Sequence, residues 1–138
     1  MIRVLLADDE SDVLNLWRRL LQAQADFDVV GIHLDAPHLS SAIVERLPDI
    51  ALVDLGMFGP NAVDAVGRLV DAHRDVRFVV YSGRSEPQTI AAAFDVGVWG
   101  FIDKLCTPAS MFEALRRIAA GEVVFPPDFS LDRDDLRM

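Results

Sequence analysis

The hydrophobic pattern of the chain changes its period repeatedly, and this alternation is the feature that most restricts the fold. Short apolar or β-branched runs, typical of buried strands, alternate with stretches whose apolar residues recur at helical spacing. The predicted strands are Ile2–Ala7, Phe27–His33, Ile50–Leu55, Val76–Tyr81 and Val98–Ile102. The predicted helices are Asp12–Gln24, Leu39–Leu47, Asn61–His73, Pro87–Phe94 and Pro108–Ala120. This order predicts an α/β fold, a doubly wound five-stranded parallel sheet with helices on both faces.

Polar residues follow four of the predicted strands. They are Asp8-Asp9-Glu10 after the first strand, Asp54 at the end of the third, Ser82-Gly83 after the fourth and Lys104 after the fifth. In doubly wound sheets, sites form beyond the carboxyl ends of the strands. Singly, these residues are explained as helix caps, turn residues or solvated charges. Their joint position at one edge favours a functional site.

Carboxylates crowded at one edge repel each other, and a hard divalent cation relieves that repulsion. Mg²⁺ prefers oxygen ligands and keeps several waters, so Asp9 and Asp54 are candidate direct ligands and Asp8 is a candidate ligand through water. A carboxylate in a neutralised site can attack a phosphoryl group and form an aspartyl-phosphate. Lys104 and Ser82 would then offer an ammonium group and a hydroxyl group to the phosphate oxygens.

Charge and missing motifs narrow the function classes. The 13 basic and 22 acidic residues give a formal net charge of −9, which argues against direct nucleic acid binding. A single cysteine, Cys106, excludes an internal disulfide and favours a reducing compartment. Because no apolar stretch reaches membrane-spanning length, we expect a cytoplasmic protein without membrane contact. A flavin or nucleotide carrier would need a Gly- or Ser/Thr-rich loop where Asp8-Asp9-Glu10 stand.

The arrangement of these residues resembles the receiver domains of bacterial two-component response regulators. The resemblance rests on Asp8-Asp9, on Asp54 within Asp-Leu-x-Met, on Ser82 and on Phe101-Ile102-Asp103-Lys104, and it covers residues 1–121. It implies a flavodoxin-like sheet with strand order 2-1-3-4-5. It also implies that the domain takes a phosphoryl group from a histidine kinase or phosphotransfer protein. Such a domain is primarily a signalling switch, although it catalyses its own phosphorylation and dephosphorylation.

The resemblance implies specific roles around the phosphoacceptor. Asp54 is the residue that it identifies as the phosphorylation site. Asp9, Asp54 and the Gly56 carbonyl are implied as direct Mg²⁺ ligands, with Asp8 beside them. A phosphatase with an Asp nucleophile is an alternative, but it would need a second Asp at the position of Gly56.

Three further residues resemble the switching machinery of the family. Lys104 is implied as the phosphate-binding lysine, and Ser82 with Phe101 as the switch pair. The period of two along a strand predicts that Trp99 lies on the same side as Phe101, near the Pro87–Phe94 helix. Two interpretations of Trp99 stay open, namely a core residue that covers this helix and an exposed anchor for a homodimer.

The end of the chain resembles the linker of the subfamily whose receivers precede a helix-turn-helix output domain. We therefore expect a receiver domain at 1–121 and an exposed C-terminal tail or linker at 122–138. The regulatory part of a transcription factor is one function that this resemblance allows. Phe58 and Ala62 stand where the family usually has Pro and Gly. A degenerate receiver that acts as a phosphorylation-independent protein-binding module is thus the alternative.

Overall fold

The structure is a computed structural model that describes residues 1–127 and 129. One sheet of five parallel strands has the order β2-β1-β3-β4-β5. The strands are β1 Ile2–Ala7, β2 Phe27–His33, β3 Ile50–Asp54, β4 Arg77–Ser82 and β5 Gly100–Asp103. The helices are α1 Ser11–Gln22, α2 Leu39–Arg46, α3 Ala62–Ala72, α4 Pro87–Asp95 and α5 Pro108–Ala119, with a 3-10 helix at Leu55–Phe58. The predicted fold class and strand order are confirmed.

Local sequence explains where several helices begin and end. The Thr107 hydroxyl accepts a hydrogen bond from the Ser110 N–H, and Pro108 follows it at the first helical position of α5. At the end of α2, Leu47 adopts a left-handed conformation directly before Pro48. None of the helices in the described part of the chain is long and apolar enough to cross a membrane.

Side-chain alternation along the strands creates a hydrophobic cluster on each face of the sheet. Leu52 on β3 belongs to the cluster covered by α1 and α5, whereas its neighbour Val53 belongs to the cluster covered by α2, α3 and α4. All five residues of β3 are buried. Because both faces of this central strand are covered, a polar residue at its end lies at the edge of a fully packed sheet.

The structure contradicts the predicted position of Trp99. Strand β5 begins at Gly100, so Trp99 lies before the strand. The alternation of side chains along the strand therefore does not fix the side of Trp99. Trp99 packs against the α1 and α5 cluster, whereas Phe101 lies in the cluster on the opposite face. The guanidinium of Arg77 lies 4.5 Å from the centroid of the Trp99 ring system. Trp99 and Phe101 therefore do not share a face, and the prediction that they do is wrong.

The segment after α5 follows the edge of the sheet. Val124 donates its N–H to the Trp99 carbonyl at 2.9 Å and accepts from the Phe101 N–H at 3.0 Å. The ring of Phe125 contacts that of Phe94 on α4, with centroids 5.4 Å apart. Val124 and Phe125 are half-buried, so the expected exposure does not hold for them. The boundary at 121/122 stays a prediction, and residues 128 and 130–138 of the proposed tail lie outside the described residues.

Candidate functional site

Buried polar side chains gather at the carboxyl edge of the sheet. Within the described part of the chain, the buried polar or charged residues are Asp8, Asp54 and Ser82, with exposed fractions of 0%, 4% and 6%. They stand at or just after the ends of β1, β3 and β4, which are neighbours in the sheet. Lys104, directly after β5, is half-buried. The predicted grouping of these residues at one edge is what the parallel strands produce.

The ammonium group of Lys104 is the centre of this group of charges. Its Nζ lies 3.0 Å from Oδ1 of Asp54 and 3.6 Å from Oδ2 of Asp8. The exposed Glu10 contributes a third carboxylate, with Oε1 at 4.0 Å from the same Nζ. These contacts raise the pKa of Lys104 even though burial acts to lower it. The lysine therefore stays charged in the site.

Asp54 is held by the chain that follows it. The Gly56 N–H, in the 3-10 helix, donates a hydrogen bond to Asp54 Oδ1 at 3.1 Å. Burial raises the pKa of Asp54, and repulsion by Asp8 adds to this effect despite the hydrogen bond from Lys104. The ionised carboxylate is thus less favourable here than in water, and a positive charge brought near it is stabilised.

Asp8 accepts two hydrogen bonds inside the protein. The Glu10 N–H donates to Oδ1 at 2.9 Å, and the Tyr81 hydroxyl donates to Oδ2. Burial alone would raise the pKa of Asp8, but these two donors and the charge of Lys104 outweigh it, so the pKa lies below its usual range. Asp8 is consequently ionised, although its side chain is completely buried.

An acidic group suited to a hard cation lies at the end of β1. Carboxylate oxygens of Asp8, Asp9 and Glu10 all lie within 4.8 Å of one another. Asp9 and Glu10 are exposed, so a hydrated ion can reach them. An all-oxygen donor set that leaves room for water fits Mg²⁺. Glu10 is a member that the predicted ligand set did not contain.

Ser82 and Phe101, the predicted switch pair, have different surroundings. The Ser82 hydroxyl accepts a hydrogen bond from the Arg84 N–H at 3.0 Å. Ser82, Arg84 and Gly56 line a cleft of about 570 Å³ between the 3-10 helix and α4. Phe101 is only 2% exposed and packs in the core cluster that contains Ile90 of α4. Ser82 thus faces the same cleft as Gly56 of the loop after Asp54, whereas Phe101 lies in the core.

The loop after Asp54 accommodates Phe58 and Ala62. Phe58 ends the 3-10 helix and packs against the core cluster on that face of the sheet. The positive φ in this loop, 78°, belongs to Gly59, for which that conformation is favourable. Ala62 begins α3 and needs no such conformation. Neither position disturbs the contact between Asp54 and Lys104.

Tyr81 is a site residue that sequence reasoning missed. It pairs with Asp54 in the register of β3 and β4, and its hydroxyl reaches Asp8. A faint signal was available, since a tyrosine directly before Ser82 ends a strand that leads into the predicted site. Within an apolar run, however, an aromatic residue is ordinarily explained as core.

The chain is similar in sequence to known signalling proteins. Residues 4–116 match the profile of the response regulator receiver domain. Among curated proteins, the chain is 29% identical over 122 residues to the transcriptional regulatory protein LiaR of Bacillus subtilis, covering 88% of this chain and 58% of LiaR. Similar shares of 57% and 59% for two other relatives show that the chain spans about three fifths of their length.

Two solved structures are similar over nearly the whole chain. A LuxR-family two-component response regulator from Aurantimonas sp. SI85-9A1 is 27% identical with a TM-score of 0.84, covering 98% of this chain and 96% of that one. The signal receiver domain of NarL from Mycobacterium tuberculosis is 27% identical with a TM-score of 0.80, covering 88% and 98%. The sheet described above thus belongs to a fold that these proteins share.

Proposed function

Because the chain belongs to the response regulator receiver domain family, we propose that it takes a phosphoryl group onto Asp54 from a histidine kinase or phosphotransfer protein. The observation that carries this proposal is the buried Asp54 carboxylate, with Lys104 Nζ 3.0 Å from its Oδ1. A carboxylate next to a fixed ammonium group, at the accessible edge of a sheet, is suited to accept a charged phosphoryl group.

The chain's own groups divide the work of the transfer. An Asp54 oxygen forms the new bond to phosphorus, while the bond to the donor breaks and the donor keeps the electron pair. Lys104 and the Gly56 N–H both contact Oδ1, which leaves Oδ2 as the attacking oxygen. Lys104 then stabilises the negative oxygens of the phosphoryl group, and the Ser82 hydroxyl can turn from Arg84 towards them.

Mg²⁺ is the cation that this site is proposed to hold. Asp9 and Asp54 would be direct ligands together with the Gly56 carbonyl, and Asp8 would act through water. When bound, the ion neutralises the carboxylates and the incoming phosphate oxygens. Its affinity should be modest, since few protein groups are available and most of its shell remains water.

Replacement of Asp9 by alanine should weaken Mg²⁺ binding by about tenfold or more. Asp9 is exposed, so its removal deletes a ligand without opening a cavity in the core. The measurement is calorimetric titration with Mg²⁺. Glu113→Ala, which removes an exposed acid on α5, is the matched control and should bind like the parent. An undiminished affinity in the Asp9 variant would contradict the ligand assignment.

The lifetime of the phosphorylated state should depend on residue 56. Gly56 is exposed, and a Cβ there would lie 3.5 Å from Oδ1 and 3.6 Å from Oδ2 of Asp54. A side chain at this position would therefore cover the acyl phosphate from attacking water. We expect Gly56→Asn to slow dephosphorylation severalfold, as followed by the decay of the phosphorylated mass. A decay rate equal to that of the parent would count against shielding at this position.

Phosphorylation is proposed to act through the switch pair Ser82 and Phe101. A phosphoryl group that draws the Ser82 hydroxyl favours whichever arrangement of Phe101 and α4 contacts it best. Self-association remains part of this proposal. Its surface would not be a joint anchor of Trp99 and Phe101, because these two rings lie on opposite faces of the sheet.

At the level of the whole protein, we propose a cytoplasmic regulator of transcription. The support is that LiaR, of which the matched region covers 58%, carries the name of a transcriptional regulatory protein.

Phosphorylation can be tested directly on this chain, and a positive result would also contradict the alternative of a degenerate receiver. Intact mass after incubation with acetyl phosphate and Mg²⁺ should increase by one phosphoryl group, and an unchanged mass would contradict the proposal.

A further inference from the structure

Tyr81 is the single tyrosine of the chain, and it lies next to the site, at the end of β4. It is 2% exposed and stands opposite Asp54 in the register of β3 and β4. Its hydroxyl donates to Oδ2 of Asp8, which follows β1. Since β3 lies between β1 and β4 in the sheet, the Tyr81 side chain crosses the central strand to make this contact.

The same side chain contacts the lysine of the site. Lys104 Nζ lies 5.1 Å from the centroid of the Tyr81 ring, a distance at which an ammonium group is attracted to an aromatic face. Tyr81 thus touches two oppositely charged groups, one through its hydroxyl and one through its ring. A core aromatic residue does not require either contact.

Two donors compete for Oδ2 of Asp8. The Tyr81 hydroxyl donates a hydrogen bond to this oxygen. Lys104 Nζ lies 3.6 Å from the same oxygen and 3.0 Å from Oδ1 of Asp54. A buried carboxylate oxygen that loses its donor is costly to leave without a partner. If the hydroxyl were removed, the nearest group able to satisfy Asp8 would be the ammonium group of Lys104.

We propose that Tyr81 is a positioning residue that reserves Asp8 for the cation site and keeps Lys104 on Asp54. The inference rests on the proposed function, because it concerns Mg²⁺ at the same edge. If Lys104 moved closer to Asp8 than the present 3.6 Å, it would place a positive charge where the divalent ion is needed. Tyr81→Phe, which deletes the hydroxyl and keeps the ring, should therefore weaken Mg²⁺ binding severalfold in calorimetric titration.

A spectroscopic measurement on the unmodified sequence tests the contact without any substitution. Tyrosine labelled with ¹³C at Cζ gives one NMR signal in this chain, because Tyr81 is its single tyrosine. Addition of Mg²⁺ should shift this signal with the half-saturation found by calorimetry. A signal that stays fixed while calorimetry shows full saturation would overturn the inference.

Whether Tyr81 acts through Lys104 is tested by repeating the substitution in a variant that lacks this lysine. In Lys104→Met no ammonium group is present to take Oδ2 of Asp8, so the added change Tyr81→Phe should have little effect on Mg²⁺ affinity. An undiminished effect in this background would show that Tyr81 does not act by directing the lysine. Urea unfolding of each variant verifies that the comparison is made between folded proteins.

The outcomes separate this inference from the proposed function. If the parent protein shows neither Mg²⁺ heat nor a tyrosine shift, the proposed cation site itself fails. If the parent binds Mg²⁺ and Tyr81→Phe binds it equally well, the positioning role is wrong and the cation site stands. If Tyr81→Phe weakens Mg²⁺ binding in the parent sequence but not in the Lys104→Met background, Tyr81 is supported as the positioning residue.

Discussion

Replacement of Asp54 by asparagine is expected to abolish phosphorylation. The amide that replaces the carboxylate is neutral and has no oxygen able to form a stable acyl phosphate, so the loss should be complete. The variant keeps the shape of the side chain and an oxygen that can accept from the Gly56 N–H. Incubation with acetyl phosphate and Mg²⁺ followed by intact mass measures the result.

The stability of this variant shows whether the loss is chemical. The pKa of Asp54 is raised by burial and by repulsion from Asp8, which means that folding disfavours the ionised carboxylate relative to water. At neutral pH the parent carries this cost, and the neutral amide does not. We therefore expect the free energy of unfolding in urea to be equal to that of the parent or higher.

A matched substitution completes this test. Asp95→Asn makes the same chemical change at an exposed position at the end of α4, away from the carboxyl edge. It should be phosphorylated like the parent. If the Asp54 variant gains a phosphoryl group as readily as the Asp95 variant does, the phosphoacceptor has been assigned wrongly.

The sequence predicted most of the fold because each element carries its own period. Strands β1 and β2 were predicted with their observed bounds, and the other three strands differed by one or two residues at an end. Once the strands are parallel, the rule that sites form at their carboxyl ends requires only the residues that follow them. Asp8, Asp54 and Lys104 meet this condition, and the structure places them in contact range of one another.

Contacts that depend on non-local geometry escaped this reasoning. Tyr81 lies inside a predicted strand, and nothing local shows that its hydroxyl meets Asp8 across β3. That contact depends on the register between strands, which is fixed by the packing of the whole sheet. The contact of Glu10 with Lys104 depends in the same way on the assembled sheet, because Lys104 follows β5 and is distant from Glu10 in the sequence.

The segment after α5 was expected to be exposed for a related reason. Pro126-Pro127 and the acidic residues beyond them indicate the end of regular structure. Strand β5, however, is an edge strand with unpaired backbone groups. Val124 accepts from the Phe101 N–H on this edge and donates to the carbonyl of Trp99, directly before the strand. The availability of that edge is a property of the assembled sheet, so the local pattern did not reveal it.

Trp99→Ala is expected to lower the free energy of unfolding by about 2–3 kcal/mol, less than for a fully buried tryptophan because the ring is half-buried. The ring stacks with the guanidinium of Arg77 at 4.5 Å. Arg77 Nη1 in turn donates to the carbonyls of Ile118 at 2.8 Å and Ala119 at 2.9 Å, at the end of α5. Loss of the ring thus removes apolar packing and frees the arginine that satisfies the helix end.

This result would decide between the two interpretations of Trp99. A core residue on the α1 and α5 side should affect urea unfolding, whereas phosphorylation by acetyl phosphate should proceed to the same extent as in the parent. Leu16→Ala is the control, since Leu16 is an apolar residue on α1 that is 47% exposed, and its loss should change stability little. The exposed-anchor interpretation would be favoured instead if Trp99→Ala left the unfolding free energy unchanged and abolished self-association of the phosphorylated protein. The stacking with Arg77 makes the first result the expected one, because a ring engaged by that guanidinium on its own domain has less surface to offer a second copy.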